Sequence, residues 1–144
     1  MDENSIEVRL PSRLGYEKIA MGAAASMAKM MGFTEDRIQD LKTAVAEACI
    51  NAIEHGNKMN AAIPVGVVLS ISPGELEIKV LDDGTGMMKT HAKPDIDRKM
   101  TGEEETRGMG MFLIQSLVDE AEWVPKAEGQ SFVRLIIRLN KEDE

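Results

Sequence analysis

Two apolar, β-branched runs, Ile63 to Ile71 and Leu76 to Leu81, stand on either side of Ser72-Pro73-Gly74-Glu75. Proline presets the first central position of a tight turn and glycine supplies the left-handed one, so the four residues predict a hairpin and the two runs predict antiparallel strands. Another strand is expected at the start, where Ile6, Val8 and Leu10 alternate with Glu7 and Arg9 until Pro11 ends the run. A sheet of this kind has one face to bury, and the rest of the chain has to cover it.

The cover is written in helical periodicity between the first strand and the hairpin. From Ser12 to Met31 the apolar residues Tyr16, Ile19, Ala23, Met27 and Met30 recur at three and four positions, and Gly32 closes the segment. Thr34 offers an N-cap, and Glu35 and Asp36 suit the positive end of the helix dipole. Ile38, Leu41, Val45, Ala48 and Ala52 then form the core stripe of a second helix, which runs to about His55 and stops at Gly56-Asn57.

Residues 88–107, with Pro94 and the run Glu103-Glu104-Glu105, have no apolar period and predict a lid-like loop. A third helix is expected from Gly108 to Asp119, with Phe112, Leu113, Ser116 and Leu117 in step. Strands follow near Ala121 to Val124 and from Phe132 to Leu139, with Glu128-Gly129 where a hairpin turn is needed. The order β, α, α, β, β, loop, α, β, β argues for one α+β domain over residues 1–144, a two-layer sandwich.

Composition removes several function classes. A formal charge of -8 disfavours a broad contact with nucleic-acid phosphates. Cys49 is the only cysteine, which excludes an intrachain disulfide and a cysteine-built zinc site and suits a reducing cytoplasm. Met1-Asp2-Glu3-Asn4 is acidic where a secretory signal would be basic, and the most apolar stretch, Ile19 to Ala28, is too short to cross a bilayer. Of the 11 methionines, Met87, Met88, Met109 and Met111 flank glycine-rich segments and read as core gap-fillers.

Three segments carry chemistry. Glu47 and Asn51 are one helical turn apart, so they share a face displaced from the core stripe. An amide oxygen there suits a hard cation such as Mg, and a carboxylate can accept a hydroxyl proton, although polar pairs at this spacing also decorate solvated helices. Asp82-Asp83-Gly84-Thr85-Gly86 follows a strand directly, where a ligand crevice or a simple Asp-Gly turn is the expectation. Gly108-Met109-Gly110 precedes a helix, whose free N–H groups favour phosphate, and Arg107 adds a cationic fork. Neither a dinucleotide fingerprint nor a Gly-x-x-x-x-Gly-Lys loop is present.

Taken in order, Glu47-x-x-x-Asn51, Asp82-x-Gly84-x-Gly86, a lid and Gly108-x-Gly110 resemble the Bergerat-fold ATPases of gyrase, heat-shock chaperones, histidine kinases and mismatch-repair proteins. The stretches from Leu41 to His55 and from Gly108 to Ile114 look like the anti-sigma factor serine kinases of stress and sporulation switches. The resemblance implies a mixed, mostly antiparallel sheet with helices on one face. It also implies ATP as phosphate donor, Mg held by Asn51, Glu47 as the base, and Asp82 on the adenine amino group.

Gly84 and Gly86 would shape the adenine pocket, Ser131 would join its water network, and Gly108, Met109 and Gly110 would line the phosphate side. Arg107 stands one position later than the family's phosphate-contacting arginine, whose place Thr106 takes. The partners implied are a small anti-anti-sigma (STAS) protein, a sigma factor and a second copy of the chain, with no nucleic acid and no membrane. A nucleotide-dependent binding switch without transfer, and the ATP-binding half of a split histidine kinase, are the alternatives.

Overall fold

The Pro73-Gly74 turn forms as expected, with Gly74 at φ 72°, and it sets the register of everything beside it. In this computed structural model, which describes residues 4–83, 102–125 and 131–139 (backbone alone at 102–109), β2 (Val65–Ser72) and β3 (Glu75–Asp82) pair antiparallel from Gly66↔Leu81 to Ser72↔Glu75. β1 (Ser5–Leu10) lies outside β2, β5 (Ser131–Arg138) beside β3, and β4 (Glu120–Pro125) at the far edge, giving the order β1-β2-β3-β5-β4.

All four pairings are antiparallel, where the resemblance implied a mixed sheet. The reason is topological. The chain leaves β3 through a helix and lands β4 two strands away, and β5 folds back into the gap, so the parallel relation expected of a helical crossover never becomes a neighbouring pair.

Alternation decides which face is buried. Val65, Val67 and Leu69 of β2, Leu76, Ile78 and Val80 of β3, and Val133, Leu135 and Ile137 of β5 form the floor of the core. Each such side chain contributes about 1.5–3 kcal/mol by leaving water. The roof consists of α1 (Glu17–Met31), α2 (Glu35–Asn51) and α3 (Gly102–Leu117). On α2 the predicted stripe is the observed one, since Ile38, Leu41, Val45, Ala48 and Ala52 are all buried. Its N-cap also holds, with the Thr34 hydroxyl accepting from the Arg37 N–H at 3.4 Å.

On α1 the expected stripe is wrong by a rotation. Residues 12–16 are turns rather than helix, and Ile19 and Met30 are 52 % and 78 % exposed. Met27 is buried as expected, but the other buried positions of the helix are Glu17, Ala20, Ala24 and Ala28. Small residues win the inner face because α1 packs closely on α2, and a larger side chain there would hold the two helices apart. On α3, Phe112 and Leu113 likewise face outward, and Ile114 is the residue that enters the core.

The outer face of the sheet carries crossing ion pairs. Arg134 bridges Glu77 at 2.6 Å and Glu122 at 3.4 Å, and Arg138 bridges Glu75 at 3.0 Å and also meets Glu120. Ile136 lies between these two arginines on the same face and is buried. Among the described residues, no helix is long and apolar enough to cross a membrane.

Cys49 sits on the inner side of α2 with no exposed surface. Burial, aided by the Glu17 carboxylate, raises its thiol from 9.0 to about 12. The neutral thiol is therefore the native form, and the stability it contributes is complete below the unfolded value and is lost as pH rises from about 9 toward about 12. Native protein at pH 8 should resist iodoacetamide for hours and react within minutes in denaturant, as read by mass spectrometry.

Candidate active site

The site starts from one turn of α2. Glu47 is half-buried and Asn51 is buried, and their four-residue spacing presents both side chains on one side of the helix. After Asn51 the helix widens into a π turn over Ala52–Gly56, closed by the Asn57 N–H donating to the Ala52 carbonyl at 2.8 Å. Such a turn holds one residue more than an α turn and displaces whatever follows it, which is how helices commonly re-aim backbone at functional sites.

Here the displaced backbone is Gly56, laid directly against the end of β3. A Cβ on Gly56 would stand 2.6 Å from Asp82 Oδ2 and 2.8 Å from Asp82 Cβ, closer than any side chain tolerates. Asp82 is thus roofed by glycine backbone. Across the sheet it pairs with Ser131, whose Oγ donates to Asp82 Oδ1 at 3.3 Å with both residues buried.

The other side of the Glu47–Asn51 pair is closed by α3. A Cβ on Gly110 would lie 2.7 Å from Glu47 Oε1 and 3.0 Å from Asn51 Nδ2, so any side chain here would require the ends of those two side chains to give way. Glu47, Asn51 and Gly110 consequently form one cluster, and Gly56, Asp82 and Ser131 another, joined through the π turn. An amide oxygen beside a carboxylate is a donor set whose chemistry suits Mg, and the α3 backbone lies directly against it.

The remaining predicted residues divide. Gly84 and Gly86 lie outside the described residues. Arg107, Gly108 and Met109 belong to the backbone of α3, and their side chains are outside the described set. Helix α3 opens at Gly102 and not at Gly108, so Gly108 and Gly110 are inside it rather than at its entry, and the acidic run once expected in the lid is helical.

Gly56 and Asn57, which read as a helix stop in the sequence, are brought by the fold against Asp82 and Asp83. The available signal was a Gly-Asn pair one turn beyond Asn51, which a Schellman cap would explain equally well.

Residues 10–137 match the family described as "Histidine kinase-like ATPase domain". The chain is 32% identical over 122 residues to the "Serine-protein kinase RsbW" of Bacillus thuringiensis (strain Al Hakam), spanning 81% of this chain and 75% of that protein. It is 31% identical over 122 residues to the protein of the same name from Bacillus anthracis (strain A0248), with the same shares covered.

Among solved structures, that of the RsbU and RsbW domains of Rv1364c from Mycobacterium tuberculosis superposes with a TM-score of 0.67 at 19% identity, covering 94% of this chain and 32% of that one. The SiaB-SiaC complex from Pseudomonas aeruginosa gives a TM-score of 0.60 at 15% identity, covering 92% and 88%. These two likenesses concern the fold.

The Gly110 contact yields a test. In Gly110→Ala the new methyl meets the far end of the Glu47 side chain, which can swing aside, so stability should change by no more than about 1 kcal/mol. Calorimetry with Mg and ATP should then show affinity lower by about tenfold, because the phosphate side has lost its close backbone approach.

Proposed function

Because this chain belongs to the histidine kinase-like ATPase domain family and has RsbW serine-protein kinases among its relatives, we propose that it is an ATP-dependent protein serine kinase and anti-sigma factor. The observation that carries this is the cluster in which Gly110 backbone meets both Glu47 and Asn51, one π turn from the buried Asp82.

In this reading the substrate is a serine on a small anti-anti-sigma (STAS) protein. The serine Oγ forms a bond to the γ-phosphorus of ATP, its proton passes to the Glu47 carboxylate, and the bond between the γ-phosphorus and the bridging oxygen breaks to release ADP. Asn51 would hold Mg, which when bound neutralises phosphate charge; positioning and electrostatics are what phosphoryl transfer chiefly needs. Asp82 would accept from the adenine amino group, and Ser131, already donating to Asp82, would fix the carboxylate's orientation.

Gly84 and Gly86 would complete the adenine pocket. Arg107, Gly108, Met109 and Gly110 would serve the phosphates once the first turns of α3 uncoil to free their N–H groups. When its partner is phosphorylated the kinase would bind a sigma factor instead. A cytoplasmic homodimer is the working assembly we propose.

The test is transfer of labelled γ-phosphate to a purified STAS-domain protein. Acid-stable phosphoserine is expected, whereas an acid-labile product would indicate histidine transfer, and ATP-dependent binding without label would indicate a switch. Glu47→Ala should keep ATP affinity within about threefold while transfer falls by about 10²- to 10⁴-fold. An unimpaired Glu47→Ala enzyme would remove Glu47 from the role of base.

A further inference from the structure

We infer that Asn57, acting with Gly56, is the positioning residue that aims Asp82 at the base of the nucleotide. This rests on the reading of Asp82 given above and adds to it the device that holds the carboxylate in place.

Asn57 is only 3 % exposed, and each half of its amide is occupied. Its Oδ1 accepts the backbone N–H of Asp83 at 2.9 Å. Its Nδ2 faces the Ser12 hydroxyl at 3.0 Å and the carbonyls of Ile63 and Pro64, both at 3.3 Å. A backbone N–H can only donate and a backbone carbonyl can only accept, so the orientation of this amide is fixed by its surroundings.

Four separate pieces of chain therefore meet at one side chain: the turn after β1, the end of the π turn, the entry to β2 and the exit of β3. The consequence is local to Asp82. Its successor's N–H is tied to Asn57, while its own carboxyl is pressed by the backbone of Gly56, the residue before Asn57. The clamp thus holds the strand exit on one side and the carboxylate on the other.

Backbone strain beside the clamp supports this reading. Lys58 and Met59 follow with φ 51° and 62°, left-handed conformations that cost side-chain-bearing residues energy. Such a pair persists where surrounding bonds over-determine it, and such places cluster at ligand sites. The bonds here are those of Asn57 together with the Met59 N–H to the Ile53 carbonyl at 2.7 Å.

A merely structural asparagine would weaken every nucleotide alike when removed, whereas one that aims Asp82 affects recognition of the adenine amino group. The experiment is calorimetry, with Mg, of ATP and of purine riboside triphosphate, which has hydrogen in place of that amino group. Wild-type protein is expected to prefer ATP by about tenfold or more, the discrimination one hydrogen bond to a charged group supplies.

Asn57→Ala should bring that ratio close to one at a temperature where its melt shows it folded. Should that variant not fold, Gly56→Ala, whose methyl displaces the Asp82 carboxyl, is expected to give the same collapse of the ratio. Parallel weakening of both ligands, with the preference intact, overturns the role of Asn57. Absence of any preference in the wild-type protein overturns the Asp82 reading itself, and the positioning role with it.

Discussion

The close approach of helix backbone to strand end at Gly56 governs the geometry of this molecule's working edge. A single π turn carries Gly56 onto the Asp82 carboxyl, and no side chain fits between them. Because the sheet fixes Asp82 through its pairing with Ser131, and the core fixes α2 through Ile38, Leu41 and Val45, the contact transmits the register of one element to the other. Glu47 and Asn51 then take their places relative to Asp82 through the π turn. Rigid elements supply the precision that loops alone rarely give.

The second close approach, at Gly110, has a different character. It joins two helices rather than a helix and a strand, and the groups it meets are the ends of polar side chains. Glycine at both contacts permits the close approach of backbone to side chain, at the cost of weaker helix propensity in α3. Stability is recovered elsewhere, in the aliphatic floor of the sheet. The ion pairs on its outer face add little individually, about 0–1 kcal/mol each.

Much of this was legible in the sequence where one physical cause acts alone. The Pro73-Gly74 turn, the α2 stripe and the order of elements follow from local chemistry and periodicity, and all are observed. The spacing of Glu47 and Asn51 and the strand-end position of Asp82 were equally readable, because helix pitch and strand alternation dictate them. The failures share a different cause. The α1 face was misjudged because large apolar residues were assumed to point inward, while close packing of α1 on α2 selected Ala20, Ala24 and Ala28. The start of α3 was misplaced because glycine was weighed as a breaker without its tertiary contact at Gly110. Gly56 and Asn57 were invisible because their partners, Asp82, Asp83, Ser12 and Ile63, are distant in sequence or belong to another element.

The alanine-lined inner side of α1 divides that helix into two regimes of substitution. Inward, an extra methylene has to be accommodated by prising the roof apart, so most replacements are closed to drift. Outward, Ile19 and Met30 border solvent, and changing them disturbs no neighbour in the core. Descendants of this sequence are thereby free to re-tailor the outer side of α1 while its packing on α2 stays untouched.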